Sequence, residues 1–174
     1  MILKKVFFIL ICLYSTNLLS ANIRVVDLEK IIDKNNELNN FITDITNDQI
    51  QHREKFSKIE LNLKSELERI DGLKLILDNL ELEKEINAYN EKLNNFNNQI
   101  NIFNNHYEEQ ILSFKNEILE EVLKIMKNYA LDNQIDLILD SNNYILSSNN
   151  INITNVIVDE INKIKFNRSI EKFK

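Results

Sequence analysis

The sequence predicts an α+β fold that is predominantly α, with a long antiparallel helical hairpin standing on a small β-containing body. Three observations point there. No proline interrupts residues 43–130 and Gly72 is the only glycine, so nothing in the backbone breaks a nearly continuous helical pattern. Within that span apolar residues recur at alternating steps of three and four, the seam spacing of a coiled coil. Strand-like runs lie only at the two ends, Ile23 to Asp27 before the helices and "IDLILDSNNYILSS" from Ile135 after them.

Met1 to Ala21 stand apart. Lys4 and Lys5 precede nine unbroken apolar residues, Val6 to Tyr14, and the segment closes on the small pair Ser20 and Ala21. This is the layout of a secretory signal peptide, and the apolar run falls short of the roughly 20 residues a spanning helix needs. Ile11, before Cys12, is too large for a lipid-attachment site, so no lipoprotein is expected. The mature chain would begin near Asn22 as a single exported domain of 153 residues without cysteine, held together by packing alone. With Lys4 and Lys5 removed, 19 basic residues face 27 acidic ones, a net charge of −8. That disfavours nucleic acid or anionic lipid as a bulk partner. The 29 Asn and 27 Ile, with no Pro or Trp, fit an AT-rich coding bias. The Asn runs therefore carry no functional weight, and the glycosylation sequons at Asn152 and Asn167 are expected as chance matches.

After the first strand, Leu28, Ile31 and Ile32 begin helical spacing. Phe56, Ile59, Leu63, Leu67, Ile70 and Leu77 form a weak stripe. Ile86, Tyr89, Leu93, Phe96, Ile100, Phe103 and Tyr107 form a stronger one, continued by Ile111, Phe114, Ile118, Val122 and Ile125 after an extra step of four, a stutter that locally unwinds a supercoil. The two stripes bury each other most simply in an antiparallel hairpin within one chain. The midpoint between the strand-like ends is residue 81. Just before it, Ile70 to Asn79 supplies Asp71, Gly72, Asp78 and Asn79, all tolerant of turns. The other reading keeps Gly72 inside a helix, at about 1 kcal/mol, with the turn later. The arm is expected over about residues 43–110, reaching roughly 45 Å before the turn, with residues 22–42 and 111–174 in the body. Leu73, Leu75, Ile76 and Leu77 are too densely spaced for one stripe, so an apolar, partly exposed tip is expected, with Leu73, Leu75 and Leu77 as its client-contact residues. Tyr89, Phe96, Phe103, Tyr107 and Phe114 are expected in the seam.

At the C-terminal end, Ile135 to Leu139 and Tyr144 to Leu146 read as a β-hairpin around a polar turn. Isolated hairpins are marginal in water, so Ile23 to Val26 is the expected third strand. A last helix from about Asn155 to Phe166, capped by Thr154, would bury Val156, Ile157, Ile161 and Ile164. A body below about 70 to 80 residues rarely supplies enough stability alone. An oligomer is therefore expected, with Ile23, Val25, Leu137, Leu139 and Ile145 in its shared body.

A signal-like start, "IRVVDLEKIID", a long charged helical middle and "IDLILDSNNYILSSNNINITNVIVDEIN" together resemble the Skp/OmpH family of periplasmic chaperones. Only about 40 residues at the two ends carry informative sequence; the middle matches in length and periodicity. The resemblance implies a soluble periplasmic homotrimer whose strands build a central body. Three helical hairpins would hang from it as tentacles around a cavity that holds unfolded outer-membrane β-barrel proteins without ATP, preventing aggregation in transit. Such a holdase needs scattered apolar contacts and mobile walls rather than reactive groups. One departure stands out. The family's tentacles tend to be basic, whereas Asp71 to Glu85 here holds Lys74 and Lys84 against five carboxylates, a net of −3, which counts against membrane-surface or lipopolysaccharide contact at the tip.

No catalytic, cofactor or metal site is expected, and the chain does not read as an enzyme. His52 and His106 have no cysteine to join them in a zinc site. Glu117, Glu120 and Glu121 read as a solvated helical face, Ser141 and Ser147 as turn residues, and one glycine builds no phosphate loop. The rival reading is an exported coiled-coil scaffold or adaptor whose stripe binds one partner helix; its long helix should run straight through and need no sheet. A signal-anchored envelope protein is a further alternative, and the signal-like start argues against a cytosolic prefoldin-like holdase.

Overall fold

The computed structural model describes residues 21–173. The expected signal peptide thus lies, but for Ala21, outside the described residues. In chain order the elements are β1 (Ile23–Val26), α1 (Leu28–Asp33), α2 (Asn36–Leu73), α3 (Asn79–Asp132), β2 (Leu137–Asp140) and α4 (Thr154–Ile161), with single 3₁₀ turns at Ser141–Asn143 and Asn149–Ile151.

Short polar side chains start each of the first three helices. Asp27 Oδ1 accepts from the Lys30 amide at 2.9 Å, Asn35 Oδ1 from Leu38 at 2.9 Å, and Asp78 Oδ1 from Glu81 at 2.9 Å. Each satisfies an amide the helix itself leaves unpaired. The chain reverses between Leu73 and Asn79, where the Ile76 and Leu77 amides both donate to the Leu73 carbonyl at 2.9 and 3.0 Å. Gly72 is inside α2, in open space, so the turn follows it rather than using it. With 38 and 54 residues, α2 and α3 extend about 57 and 81 Å. A helical hairpin is therefore present, and the straight-through helix of a scaffold is not.

The sheet corrects one expectation. β1 and β2 pair in parallel, with Ile23 opposite Leu137 and Val26 opposite Asp140, and Tyr144 to Leu146 form no strand. Asp140 accounts for this. Its Oδ1 accepts from the Leu28 amide at 3.0 Å, and its Oδ2 from the Asn142 amide at 3.3 Å and Asn142 Nδ2 at 2.9 Å. The Leu28 bond holds the Asp140 carboxyl below its ordinary pKa, and the Asn142 bonds curl Ser141–Asn143 off the strand line. The chain returns on the other side of β1, where the Ile153 amide donates to the Val25 carbonyl at 3.0 Å beside a single bridge from Val25 to Asn152.

The core lies where α1, the start of α2, the end of α3 and α4 meet. Val26, Ile31, Leu38, Phe41 and Ile45 pack with Phe103, Tyr107, Phe114, Ile118, Val122, Ile153, Ile157 and Ile161. At about 1.5–3 kcal/mol for each large side chain fully removed from water, this cluster is the main source of stability. The α3 seam is as the spacing predicts: Phe96, Phe103, Tyr107, Phe114, Ile118 and Val122 are buried. The α2 stripe is thinner, for Leu63 and Ile70 are buried while Ile59 and Leu67 are exposed.

The last helix also differs from expectation. It ends at Ile161, not Phe166. Thr154 does not cap it with its side chain; its Oγ1 instead accepts from the Asp27 amide at 3.0 Å. Asn162 stops the helix against the α1–α2 junction, its Oδ1 accepting from the Asn36 amide at 2.8 Å and its Nδ2 donating to the Lys34 carbonyl at 3.1 Å. Ile157 and Ile161 are fully buried, Val156 is exposed, and Ile164 lies past the helix, its amide donating back to the Ile161 carbonyl at 3.1 Å.

Candidate functional site

The barest apolar side chains among the described residues gather on two surfaces. The first is the hairpin tip. Leu75 is 93 % exposed there, with Ile76 and Leu80 also exposed, while Leu73 and Leu77 are half-buried against the ends of the two helices. Of the three leucines expected at the tip, then, one is wholly bare; Ile76 of the same dense run is bare beside it, and the spacing missed Leu80. Surface ion pairs brace the helices beneath it: Arg69 with Glu85, and Lys92 with Glu66 at 2.7 Å. Lys74, one of the two tip lysines, pairs with Asp71 at 2.6 Å.

The second surface is the edge of the body. Leu137 and Ile23 are exposed on the outer side of the sheet, and Ile145 and Leu146 stand wholly bare on the loop after β2. Among the residues expected there, Val25 is buried inside the single chain and Leu139 is half-buried.

Between these lies the groove formed by α2 and α3 near the body, filled by the segment that follows α4. His52 and His106 both face that segment. Both rings pack edge-on against its Phe173, with centroids at 5.4 and 5.6 Å. Among the described residues no group of three or more His, Cys, Asp or Glu could hold a metal ion, and no helix is long and apolar enough to cross a membrane. At the floor of the groove, the hydroxyl of buried Tyr107 donates to Asp48 Oδ2. Burial and, second, this bond push the phenol up to about 12. The spacing identified Tyr107 and Phe114 as seam residues but carried no signal for the polar residues beside them, Asp48 and Gln110.

Comparison with known proteins fits this architecture. The solved structure of a candidate outer membrane chaperone (OmpH-like) from Caulobacter crescentus CB15 superposes with a TM-score of 0.63 at 12 % identity, covering 88 % of this chain and 92 % of that one. At that identity the likeness establishes the fold. No curated protein matches the chain. A family model described as "Outer membrane protein (OmpH-like)" matches residues 22–161. That span runs from just before β1 to the end of α4, both ends of the body and the whole hairpin between them, and the chain belongs to the OmpH-like family.

Proposed function

We propose that this protein is an ATP-independent periplasmic holdase that keeps unfolded outer-membrane β-barrel proteins from aggregating, holding them between helical arms. The observation that carries the reading is the hairpin itself: a long two-helix arm of an OmpH-like chain with Leu75, Ile76 and Leu80 bare at its tip. Scattered, individually weak apolar contacts on a projecting arm suit capture of many unfolded chains and are poorly suited to one specific partner. The description of the Caulobacter crescentus protein as a candidate outer membrane chaperone supports the same role.

The body supports assembly into a trimer. A two-stranded sheet is marginal alone, and parallel sheets are ordinarily covered on both faces. Here the outer edge leaves Leu137, Ile145 and Leu146 bare. Covering the last two would contribute about 1.5–3 kcal/mol each per chain. Ile23, Leu137, Leu139 and Ile145 form the joint between copies, and Val25 backs it from inside. The acidic tip gives the arm no attraction to an anionic membrane surface. The adaptor reading has less in its favour, because the chain reverses and returns to a sheet.

Light scattering on the chain from Asn22, alone and with an outer-membrane β-barrel protein diluted from urea, tests both parts. A mass of three chains and a client kept dispersed without ATP are expected. A monomer or dimer that lets the client aggregate refutes the holdase and leaves the adaptor. Ile145→Lys/Leu146→Lys should lower the mass while the chain stays folded.

A further inference from the structure

The segment "KIKFNRSIEKF", Lys163–Phe173, lies beyond the family match, which stops at residue 161. From Ile164 to Ile170 its exposure alternates: Ile164, Phe166, Arg168 and Ile170 are half-buried, and Lys165, Asn167 and Ser169 between them are exposed, after which Glu171 and Lys172 are both exposed and Phe173 is half-buried. That is the period of an extended strand with one face seated. The seat is helical. The Phe166 ring meets Phe114 edge-on at 5.4 Å. The Arg168 guanidinium lies over Phe41 and Phe114 at 5.7 and 5.4 Å and bonds Glu117 and Ser113. Phe173 closes the series among the rings of His52, Phe103 and His106, 5.2 to 5.6 Å away.

The groove also grips main chain. The Glu171 amide donates to Gln110 Oε1 at 2.8 Å, and the Glu171 carbonyl accepts from Gln110 Nε2 at 3.0 Å. The same carbonyl lies 2.7 Å from His106 Nε2, which donates to it in the Nε2–H tautomer. Two residues on, the Phe173 amide points at the Tyr107 hydroxyl, 3.4 Å away. One side-chain amide thus satisfies both backbone groups of a single residue, as a neighbouring strand would, and none of these bonds consults the side chain of the residue held. A two-sided grip at residue i and a single amide contact at i+2, flanked by aromatic seats, suit an extended chain with apolar side chains on one face rather than one sequence.

That is the chemistry of a membrane β-barrel strand, roughly ten residues alternating apolar and polar with aromatic residues at the membrane boundaries. We propose that the groove lined by Phe41, Phe103, His106, Tyr107, Gln110 and Phe114 receives such a strand from an unfolded β-barrel protein, and that Lys163–Phe173 is its resident competitor. The inference rests on the holdase reading and adds to it a site and a means of regulation. Tethering gives the tail a high effective concentration. Its charge, four Lys or Arg against Glu171, matches an acidic surround in which Lys165 pairs with Glu37 at 2.7 Å and Arg168 with Glu117 at 3.0 Å. A client binds only the fraction of molecules whose tail has lifted, and its apparent affinity is lowered by that fraction.

The test uses the full chain. Ile170→Ser/Phe173→Ser loosens the tail without touching the helices, and affinity for a urea-unfolded outer-membrane β-barrel protein is read by fluorescence anisotropy. About tenfold tighter binding is expected, which is about 1.4 kcal/mol of tail closure removed. A synthetic peptide of residues 163–173 should displace the client from the variant. In the wild-type chain, hydrogen exchange should show the Glu171 amide losing protection when client is added. If a folded variant binds client no more tightly and the peptide displaces nothing, the inference is overturned and the holdase reading stands. If neither wild type nor variant keeps the client dispersed, the holdase reading fails and the groove assignment falls with it. Should the variant not fold, exchange in the wild type decides, and unchanged or increased protection at Glu171 overturns the inference.

Discussion

Replacing Phe114 with Ala probes the point where hairpin, body and tail meet. The ring is 1 % exposed, edge-on to Phe41 of α2 at 5.0 Å and to Phe166 of the tail at 5.4 Å, with the Arg168 guanidinium 5.4 Å from its centre. Removing it forfeits about 1.5–3 kcal/mol of burial and two aromatic pairs worth about 0.5–1.5 kcal/mol each. A hole also opens that Ile118 and Tyr107, each buried one or two turns away, have little freedom to fill. These terms overlap, and the range for core Phe→Ala changes puts their resultant at about 4 kcal/mol. With a urea slope of about 2 kcal/mol per molar, the unfolding midpoint should fall by about 2 M. The titration is followed by circular dichroism at one fixed protein concentration, because assembly shifts apparent stability. Leu75→Ala, at a side chain 93 % exposed, is the comparator, expected to stay within about 0.5 kcal/mol of wild type. If the two variants unfold at the same urea concentration, the packing of arm, body and tail around this ring is wrong.

The pH dependence should carry the signature of Tyr107. Its phenol is pushed up to about 12 in the folded chain against about 10 when unfolded. The contribution is therefore full below pH 10 and is lost as pH rises through 12, about 2–3 kcal/mol in all; Tyr107→Phe should flatten that limb of a stability–pH curve. Asn35 is fully buried, and its Nδ2 has no partner among the described residues. Asn35→Ala should cost about 1 kcal/mol by loss of the cap, whereas Asn35→Ser, which keeps an accepting oxygen, should stay within about 0.5 kcal/mol in urea titration. Leu75→Ser/Ile76→Ser/Leu80→Ser should leave the midpoint unchanged and weaken capture of an unfolded β-barrel client by roughly three- to tenfold in anisotropy, since a lost contact of about 1 kcal/mol has that size. Hydrogen exchange should rank amides of residues 60–95 as faster than those of residues 103–122, and the reverse order would contradict the burial gradient along the arm.

The parts legible in the sequence are those fixed by one long period. The α3 seam from Phe96 to Val122 is read off the three-and-four spacing because a two-helix arm has a single line of burial, and side chains on that line must repeat. β1 and β2 were visible as short apolar runs at the two ends of the helices. Their parallel pairing was not, since "YIL" at residues 144–146 looks as strand-like as "LIL" at 137–139. What separates them is the Asp140 carboxylate, committed to the Leu28 amide 112 residues away, a contact no local window contains. The tail was misread for a related reason. Ile157, Ile161 and Ile164 fit a helical face, Ile164, Phe166, Arg168 and Ile170 fit a strand, and periodicity gives neither precedence. The choice is made by Asn162, whose side chain bonds Asn36 and Lys34, and by the groove waiting beside it. Gln110 had no signal at all, being one more amide in a chain with 29 Asn.

Burial along the arm is uneven, and the reason is geometric. Near the body, α2 and α3 pack against α1, α4 and the tail, so Leu38, Phe41, Ile45, Tyr107, Phe114, Ile118 and Val122 are all enclosed. Beyond Phe96 each helix has one neighbour, and one line of contact leaves Leu63 and Ile70 buried with Ile86, Tyr89 and Leu93 only partly covered. The cross-arm pairs Arg69–Glu85 and Lys92–Glu66 lie at the solvent-facing surface of the arm, where water and salt screen them and they brace the helices only weakly. Opening or bending the outer arm therefore disrupts far less than disturbing its base. On the proposed function the two ends divide the work along that gradient. The outer arm, with bare leucines and little holding it rigid, suits first encounter, where contacts must be weak and adaptable. The base suits retention, because backbone bonds from Gln110 and Tyr107 hold register only if the residues presenting them are themselves fixed, and this is where the packing fixes them.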